Sequence, residues 1–295
     1  PFTDKVPKPL TKVLGVPMID VVLDRLQNAG VERAVVNLHH LGEQIRTHLK
    51  DSKKPEVVFS QEDEILETGG GIVKAMPLLG DEPFFTVNAK IIWLNGKTDC
   101  LVRMAQAFDP DKMDALLLLH STAQAVGYDG TGDFLMDPTG RLTRKPERQM
   151  APFLYAGIQL CHPRLFRDTP KGAFSTNLVW DRAIEEGRLY GIRHDGEWYH
   201  VSTPAHLQEV ERNLTFHGWR FLYSAGMASP PLRDKPNVLS IPAGVSFADT
   251  LAAALLHEAD GDPLKLAEMT VLLPNRRACR TLQEAFLRVA ISSPD

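Results

Sequence analysis

Apolar runs of strand length, separated by segments with helical periodicity, dominate the first 120 residues of the chain. The runs are VERAVVNL (31–38), EVVFS (56–60), PFFTVN (83–88) and DALLLLH (114–120). Strands that are apolar almost throughout, rather than at alternate positions, are typical of a parallel sheet covered on both faces. The sequence therefore predicts a Rossmann-like α/β fold, with a mostly parallel sheet and helices on both faces.

The strand–helix pattern runs to about residue 214 and then stops. Residues 215–236 show no clear period and contain two adjacent prolines, which is typical of a linker. Residues 237–295 begin a new β-α-β-α pattern, with strands predicted over 237–241 and 269–273 and helices over 247–257 and 276–289. We therefore expect a domain over residues 1–214, a linker over 215–236 and a small separate tail over 237–295.

Composition excludes several classes of function. The formal net charge is −4, so the molecule as a whole offers no basic field for a nucleic acid. No run of about 18 apolar residues is present to span a membrane. The cysteines Cys100, Cys161 and Cys279 are widely spaced and follow no metal-ligand pattern. Sparse, unpaired cysteines favour a reducing compartment, which predicts a cytoplasmic protein.

Lys8 lies between two prolines ahead of a predicted helix. Proline fixes φ and stiffens the loop, so the ammonium group would point one way at little entropic cost, as a phosphate clamp requires. A solvated turn lysine is the alternative. The paired histidines 39–40 and the acidic run 62–64 are interpreted as solvated surface.

A glycine run, LETGGG at residues 66–71, separates a predicted strand from a predicted helix. Such glycines let backbone N–H groups approach a ligand, and the start of the next helix favours anions. A flexible connector is the alternative. Asn88 ends an apolar strand, where open α/β sheets bind ligands. A plain turn is the alternative there.

Several segments, in order along residues 1–214, together resemble the sugar-nucleotidyltransferase family, and its muramic-acid-1-phosphate type most of all. They are DKVPKPL (4–10), LETGGG (66–71), PFFTVN (83–88), FLYAGIQL (153–160) and WYHVSTP (198–204). The resemblance implies that a sugar 1-phosphate attacks the α-phosphate of a nucleoside triphosphate, UTP being favoured, and releases pyrophosphate with help from Mg²⁺. It also implies a role in recycling cell-wall sugars. Guanylyl transfer to mannose 1-phosphate is the alternative within the family.

The same resemblance implies roles for individual residues. Lys8 would neutralise phosphate charge as a catalytic residue. The nucleotide would contact Gln61, Thr68, Gly69, Gly70 and Asn88, and the sugar would face Glu147, Gly157 and Asn177.

The chain departs from the family's pattern at two places. Lys90 stands where the family has an Asp that binds Mg²⁺, and His200 stands at the second carboxylate position. An ammonium group donates and cannot coordinate a metal that demands oxygen ligands. In addition, the family's first strand and GxGxR loop would precede Pro1. These departures predict weak transfer, with an inactive nucleotide- or sugar-binding remnant as the alternative.

The tail resembles a different family. NVLSIPAGV (237–245) and VLLPNRRAC (271–279) look like the start of the B subunit of AddAB-type helicase–nucleases of double-strand-break repair. No GK[ST] is present in it, so we expect no ATP binding by the tail. A DNA-repair interaction fragment is thus a third class of function, while nucleic acid is not expected to bind the first domain.

Overall fold

The computed structural model describes residues 5–52, 55–216, 247–258, 271 and 281–286. The chain divides into two compact units, Pro1–Met227 and Ala228–Asp295. That boundary falls inside the predicted linker, most of which lies outside the described residues. The predicted domain bounds stay a prediction.

The first unit alternates helices and strands. Its helices are α1 (Met18–Asn28), α2 (Gly42–Leu49), α3 (Glu67–Leu79), α4 (Cys100–Ala107), α5 (Asn177–Glu185) and α6 (Pro204–Phe216). Its strands are β1 (Lys12–Val13), β2 (Val16–Pro17), β3 (Arg33–Leu38), β4 (Glu56–Gln61), β5 (Phe84–Val87), β6 (Ile91–Leu94), β7 (Ala115–Ser121), β8 (Phe134–Met136), β9 (Leu142–Arg144), β10 (Phe153–Cys161), β11 (Leu189–Arg193) and β12 (Glu197–His200).

The central sheet has the order β11-β7-β10-β8-β9, and β5 also pairs with β10. β11 is parallel to β7, but β10 is antiparallel to β5, β7 and β8. The α/β class is confirmed, whereas the sheet is mixed rather than mostly parallel as expected. The reason is the connection between β7 and β10: residues 122–152, all of which are described, contain no crossover helix, so the chain returns antiparallel.

Helices cover both faces of this sheet. Leu116 and Leu118 of β7 pack in one buried cluster with residues of α1, α2 and α4. Their neighbours Leu117 and Leu119 pack in a second cluster with Trp180 of α5. Alternate side chains of a strand point to opposite faces, so both faces of β7 are covered, as predicted.

Two short pairings complete the unit. β3 and β4 form a parallel pair from Arg33↔Glu56 to Leu38↔Gln61, and Leu38 shares the first cluster with the central sheet. β6 and β12 form an antiparallel pair in which Ile91 lies opposite His200. β6 was not predicted from the sequence, and it positions the candidate site described below.

The second unit is described only in part. Its helix α7 (Phe247–Glu258) and the helical residues 281–286 agree with the predicted helices. The predicted strand 237–241 and most of the strand 269–273 lie outside the described residues. Ala252, Leu282 and Ala285 form a small buried cluster with Phe286 packed against it. Among the described helices of both units, none is long and apolar enough to cross a membrane.

Candidate functional site

Lys90 occupies the turn between β5 and β6 and is half-buried. Its carbonyl oxygen accepts a 3.0 Å hydrogen bond from the backbone N–H of Val201. Since Ile91 lies opposite His200 in the β6–β12 pair, the backbone at residue 90 is adjacent to residues 200 and 201. The two positions at which the family resemblance implies carboxylates are therefore neighbours in space.

Lys8 belongs to the same neighbourhood. It starts a short 3-10 helix, Lys8–Leu10, directly after the buried Pro7, and its own side chain is exposed. Burial lowers the pKa of Lys90, and the charge of Lys8 lowers it further. Packing places the two segments together, because Val13 of β1, which follows Lys8–Leu10, shares a buried cluster with Ile92 of β6 and with Val201.

His200 and His206 lie next to these two lysines. Burial lowers the pKa of His200, opposed by its hydrogen bond to Gly127, and the charges of Lys90, His206 and Lys8 lower it further. The His200 and His206 ring centroids are 6.4 Å apart. We call Lys8, Lys90, His200 and His206 the cationic group.

The ring of His200 is held in one orientation. Its Nδ1 lies 3.1 Å from the carbonyl oxygen of Gly127. Because a carbonyl only accepts, Nδ1 carries the proton and Nε2 of the neutral ring has a free lone pair. The ring also stacks on the buried indole of Trp198, with centroids 6.0 Å apart and an interplanar angle of 9°. The Trp198 Nε1–H donates in turn to the carbonyl of Ala156 at 2.8 Å.

The cationic group does not fit the expected Mg²⁺. Mg²⁺ binds oxygen ligands, whereas Lys8 and Lys90 have no lone pair to offer while charged, and His200 offers one nitrogen. Within the described ranges, no three His, Cys, Asp or Glu side chains are grouped so as to hold a metal ion. The residues present at this position favour an anion instead.

The glycine run lies in the first turns of α3 and is not a flexible connector. The N–H groups of Gly69 and Gly70 both donate to the carbonyl of Phe174, at 2.8 and 3.2 Å. A Cβ atom on Gly70 would lie 2.2 Å from the carbonyl oxygen of Gly172, and one on Gly69 would lie 2.3 Å from the Phe174 ring. Glycine is thus required because another segment of the chain packs here, and both amides already have a partner within the protein.

Two further predicted residues flank this run. The hydroxyl of Thr68 accepts a 3.2 Å hydrogen bond from the backbone N–H of Thr176, which precedes α5. Gln61 ends β4 with its side chain exposed. The prediction of a solvated acidic turn over residues 62–64 is correct for Asp63 and Glu64, which are exposed, but wrong for Glu62. Glu62 is buried and accepts a 2.8 Å hydrogen bond from the Asn37 amide.

Asn88 and Gly157 are in contact, although we assigned them to the nucleotide and the sugar respectively. The backbone N–H of Asn88 donates to the carbonyl of Gly157 at 2.8 Å. Gly157 has φ +84° and lies where the pairing of β10 with β7 shifts register between Tyr155 and Gln159. A Cβ atom there would lie 3.2 Å from the Asn88 amide nitrogen, so this irregularity requires glycine and brings the strand against Asn88.

Asn177, at the start of α5, is oriented by a residue that sequence reasoning missed. Arg144 of β9 donates to its Oδ1 at 2.9 Å and to Asp181 at 2.7 Å. A guanidinium only donates, so the Asn177 oxygen must face Arg144 and its amide N–H groups point elsewhere. Arg144 lies in no motif and is 33 residues from Asn177 in sequence, so only the fold reveals this contact.

The predicted residues therefore fall into two sets. Around the β5–β6 turn lie Lys8, Lys90, Asn88 and Gly157, and around the starts of α3 and α5 lie Thr68, Gly69, Gly70 and Asn177. Glu147 is exposed after β9, and no hydrogen bond or ion pair joins it to either set among the described residues.

Comparisons with known proteins identify the chain's relatives. The family model described as nucleotidyl transferase matches residues 1–166. The chain is 38% identical over 219 residues to N-acetylmuramate α-1-phosphate uridylyltransferase of Caulobacter vibrioides, covering 72% of this chain and 90% of that protein. The protein of the same name from Neisseria meningitidis serogroup B is 32% identical over 221 residues, with the same two coverages, 72% and 90%.

Solved structures agree on the fold. HddC from Yersinia pseudotuberculosis, complexed with GMP-PN, has a TM-score of 0.58 at 19% identity, covering 71% of this chain and 90% of its own. UDP-glucose pyrophosphorylase from Acinetobacter baumanii has a TM-score of 0.59 at 14% identity, covering 76% and 93%. Family model, relatives and fold agree, and this chain belongs to the nucleotidyl transferase family of enzymes.

Proposed function

We propose that this protein transfers a uridylyl group from UTP to N-acetylmuramate α-1-phosphate and releases pyrophosphate. The observation that carries the proposal is the 38% identity to the Caulobacter uridylyltransferase of that name, which extends over 90% of that relative. UTP and sugar 1-phosphates are cytoplasmic metabolites, so the proposal implies a cytoplasmic enzyme that recovers a cell-wall sugar.

The main requirement of this reaction is to stabilise the negative charge of the phosphate groups. An oxygen of the sugar phosphate attacks the α-phosphate in line, and negative charge accumulates on the departing pyrophosphate. Lys8 and Lys90 provide two positive charges in one place, next to Asn88 and Gly157. We assign them to phosphate neutralisation, which is the largest electrostatic contribution that such a site can make.

The nucleotide and the acceptor sugar would use the second set of residues. Thr68 lies at the start of α3 and Gln61 at the end of β4, and we assign both to the uridine. Gly69 and Gly70 are assigned to it by family resemblance alone, because their N–H groups already donate to Phe174. We assign Asn177 to the sugar, because its oxygen is engaged by Arg144 and its amide N–H groups can donate to a hydroxyl or carboxylate. Gly157 and Glu147 are assigned to the sugar by family resemblance alone.

A second candidate is binding of nucleotide and sugar phosphate without transfer. Lys90 favours this candidate, because family members typically use a divalent metal and the residues here do not fit one.

Turnover assays on the full-length protein separate the candidates. Pyrophosphate release and nucleotide-sugar formation are measured with UTP or GTP, each paired with N-acetylmuramate α-1-phosphate or mannose 1-phosphate. Product from UTP and N-acetylmuramate α-1-phosphate alone supports the proposal. Preference for GTP and mannose 1-phosphate contradicts it, and tight binding without product in any pair indicates the second candidate.

A further inference from the structure

Lys90 is a half-buried cation with no counter-ion among the residues that the structure describes. Among the described residues, no ion pair involves Lys90 or Lys8, whereas the exposed Lys112 is paired with Asp109 at 2.7 Å. The carboxylate found beside the cationic group is Asp129, which is almost fully exposed and lies 3.9 Å from His206. Within the described part of the chain, no carboxylate therefore forms an ion pair with either lysine of the cationic group.

Holding such charges together costs free energy. Burial disfavours the charged form of Lys90, and the nearby Lys8 repels it, so both effects lower its pKa. An anion placed between the two ammonium groups would remove both penalties at once. A residue whose pKa is shifted by burial together with a nearby charge is a candidate for a ligand site.

The backbone keeps Lys90 at this position. Its carbonyl oxygen is bonded to Val201 on one side, and two residues earlier Asn88 is bonded to Gly157 on the other. The side chain therefore starts from a fixed point between β5 and β12. Only the flexible stem of Lys90 has to be ordered when the ligand arrives, because the backbone is already in place.

We propose that Lys90 and Lys8 form an oxyanion site that binds a phosphate group directly, without a divalent cation. The inference rests on the proposed function only in that both place a phosphate group of the substrate beside Lys90 and Lys8. The ammonium of Lys90 supplies the positive charge that an Mg²⁺ ion would otherwise bring. Each lysine donates up to three hydrogen bonds, so the pair suits the adjacent oxygens of a pyrophosphate or phosphate ester.

Added Mg²⁺ should therefore not strengthen binding. A divalent cation is repelled by the two ammonium groups, and it also competes with them by complexing the phosphate in solution. A site built around a metal shows the opposite dependence, with binding lost when the metal is removed.

Calorimetric titration of the full-length protein with inorganic pyrophosphate tests the proposal. We expect pyrophosphate to bind in EDTA, and we expect its affinity in Mg²⁺ to be no higher. Lys90→Met keeps most of the aliphatic stem, removes the charge and should weaken binding by about tenfold or more. The matched variant Lys112→Met removes an exposed lysine elsewhere and should bind as the unmodified protein does. Binding that appears only with Mg²⁺, or equal affinity in Lys90→Met, would overturn the proposal.

Additional measurements separate this inference from the proposed function. Parallel titrations with UTP and with a sugar 1-phosphate, both in EDTA, show which substrate carries the bound phosphate. Pyrophosphate binding in EDTA without uridylyl transfer keeps the oxyanion site and rejects the function. Uridylyl transfer together with pyrophosphate binding that requires Mg²⁺ would support the proposed function and contradict the oxyanion site. Thermal unfolding checks folding, and Lys90→Met should be at least as stable as the unmodified protein because an uncompensated charge is removed.

Discussion

The backbone N–H of Val201 bonds the carbonyl oxygen of Lys90 at 3.0 Å, and this contact involves neither side chain. The main chain at residue 90 is therefore held beside His200 whichever side chain it carries. The chemistry of the site can consequently be changed at this position without changing its geometry.

Lys90→Asp should convert the site to a metal-dependent one. A carboxylate supplies the oxygen ligand that Mg²⁺ requires, and Lys8 remains to bind the phosphate. We expect UTP to bind about tenfold more tightly in Mg²⁺ than in EDTA, measured by calorimetry. Lys90→Asn, which has an oxygen but no charge, is the control and should show a smaller difference. Equal affinity of Lys90→Asp in both buffers would contradict the assignment.

Arg144→Lys should impair use of the acceptor sugar selectively. A lysine keeps the charge but cannot bond Asn177 and Asp181 together through a planar fork. Asn177 then loses its fixed orientation, so KM for the sugar 1-phosphate should rise about three- to tenfold, and KM for UTP should not change. Arg141→Lys, which alters an arginine bonded to Tyr190, is the matched control. A parallel rise in both KM values would show a general structural effect.

Gly70→Ala should destabilise the fold although alanine favours helices. Its Cβ would lie 2.2 Å from a backbone carbonyl oxygen, that of Gly172, which cannot move without displacing the chain. We expect a loss of about 1–3 kcal/mol in the free energy of unfolding, measured by urea denaturation. Gly42→Ala, in the first turn of α2, is the control, because the three atoms nearest to its Cβ would all belong to the Leu38 side chain, at 3.0 to 3.8 Å. Equal stability of the two variants would show that residues 172–174 adjust freely.

Asp114→Asn should destabilise the protein at neutral pH. Burial alone raises the pKa of Asp114, but the hydrogen bonds from Arg164 at 2.6 Å and Arg188 at 2.7 Å outweigh it, so the pKa is lowered. The arginines remain about a quarter exposed, so we expect about 2–3 kcal/mol, less than for a fully buried pair. Glu56→Gln, at the exposed pair with Arg33, should cost under about 1 kcal/mol.

The pH dependence of the unmodified protein checks the same contact. Because the folded pKa of Asp114 lies below its unfolded value, its contribution is complete above the unfolded pKa and disappears as the pH falls through the folded pKa. The difference in unfolding free energy between Asp114→Asn and the unmodified protein should shrink at acid pH. A constant difference would mean that the carboxylate charge is unimportant.

Deleting residues 228–295 should leave the first unit intact. We propose that the second unit folds independently of the first, because Ala252, Leu282 and Ala285 form a buried cluster of their own. Calorimetric Tm values of the full chain and of residues 1–227 should agree within about 2 °C for the main transition. A fall of many degrees on deletion would show instead that the first unit depends on the tail.

The sequence identified the α/β class but not the direction of the strands. Near-continuous apolar character reports burial on both faces, and β10 is buried on both faces although it runs antiparallel to its neighbours. Strand direction depends on the connections, and the irregular segment 122–152 gave no periodic signal of its path. β6 was missed because it is only four residues long and follows β5 after a three-residue turn.

The candidate site was predictable only where a motif marks it. Lys8, Asn88 and Lys90 are in or next to segments that resemble a family, so they could be named from the sequence. Arg144 bonds Asn177, which is 33 residues away, and Glu62 bonds Asn37, which is 25 residues away. No local sequence pattern encodes such contacts. The glycines of α3 were identified from the sequence as residues that let a ligand approach the backbone. In the structure, glycine is required there because residues 172–174 pack closely against the helix.

The stacking of Trp198 on His200 gives the protein an intrinsic optical probe. The indole also lies 5.8 Å from the ring of His120, so imidazoles flank it in a buried setting. A charged imidazole quenches indole emission more strongly than a neutral one. Burial is the main cause that lowers the pKa of His200, and the charges of Lys90, His206 and Lys8 lower it further, so an anion that reaches the cationic group should offset the second cause and favour the charged ring. We therefore expect occupancy of the site to change the emission of Trp198, one of four tryptophans in the chain, so that ligand arrival can be followed without a label.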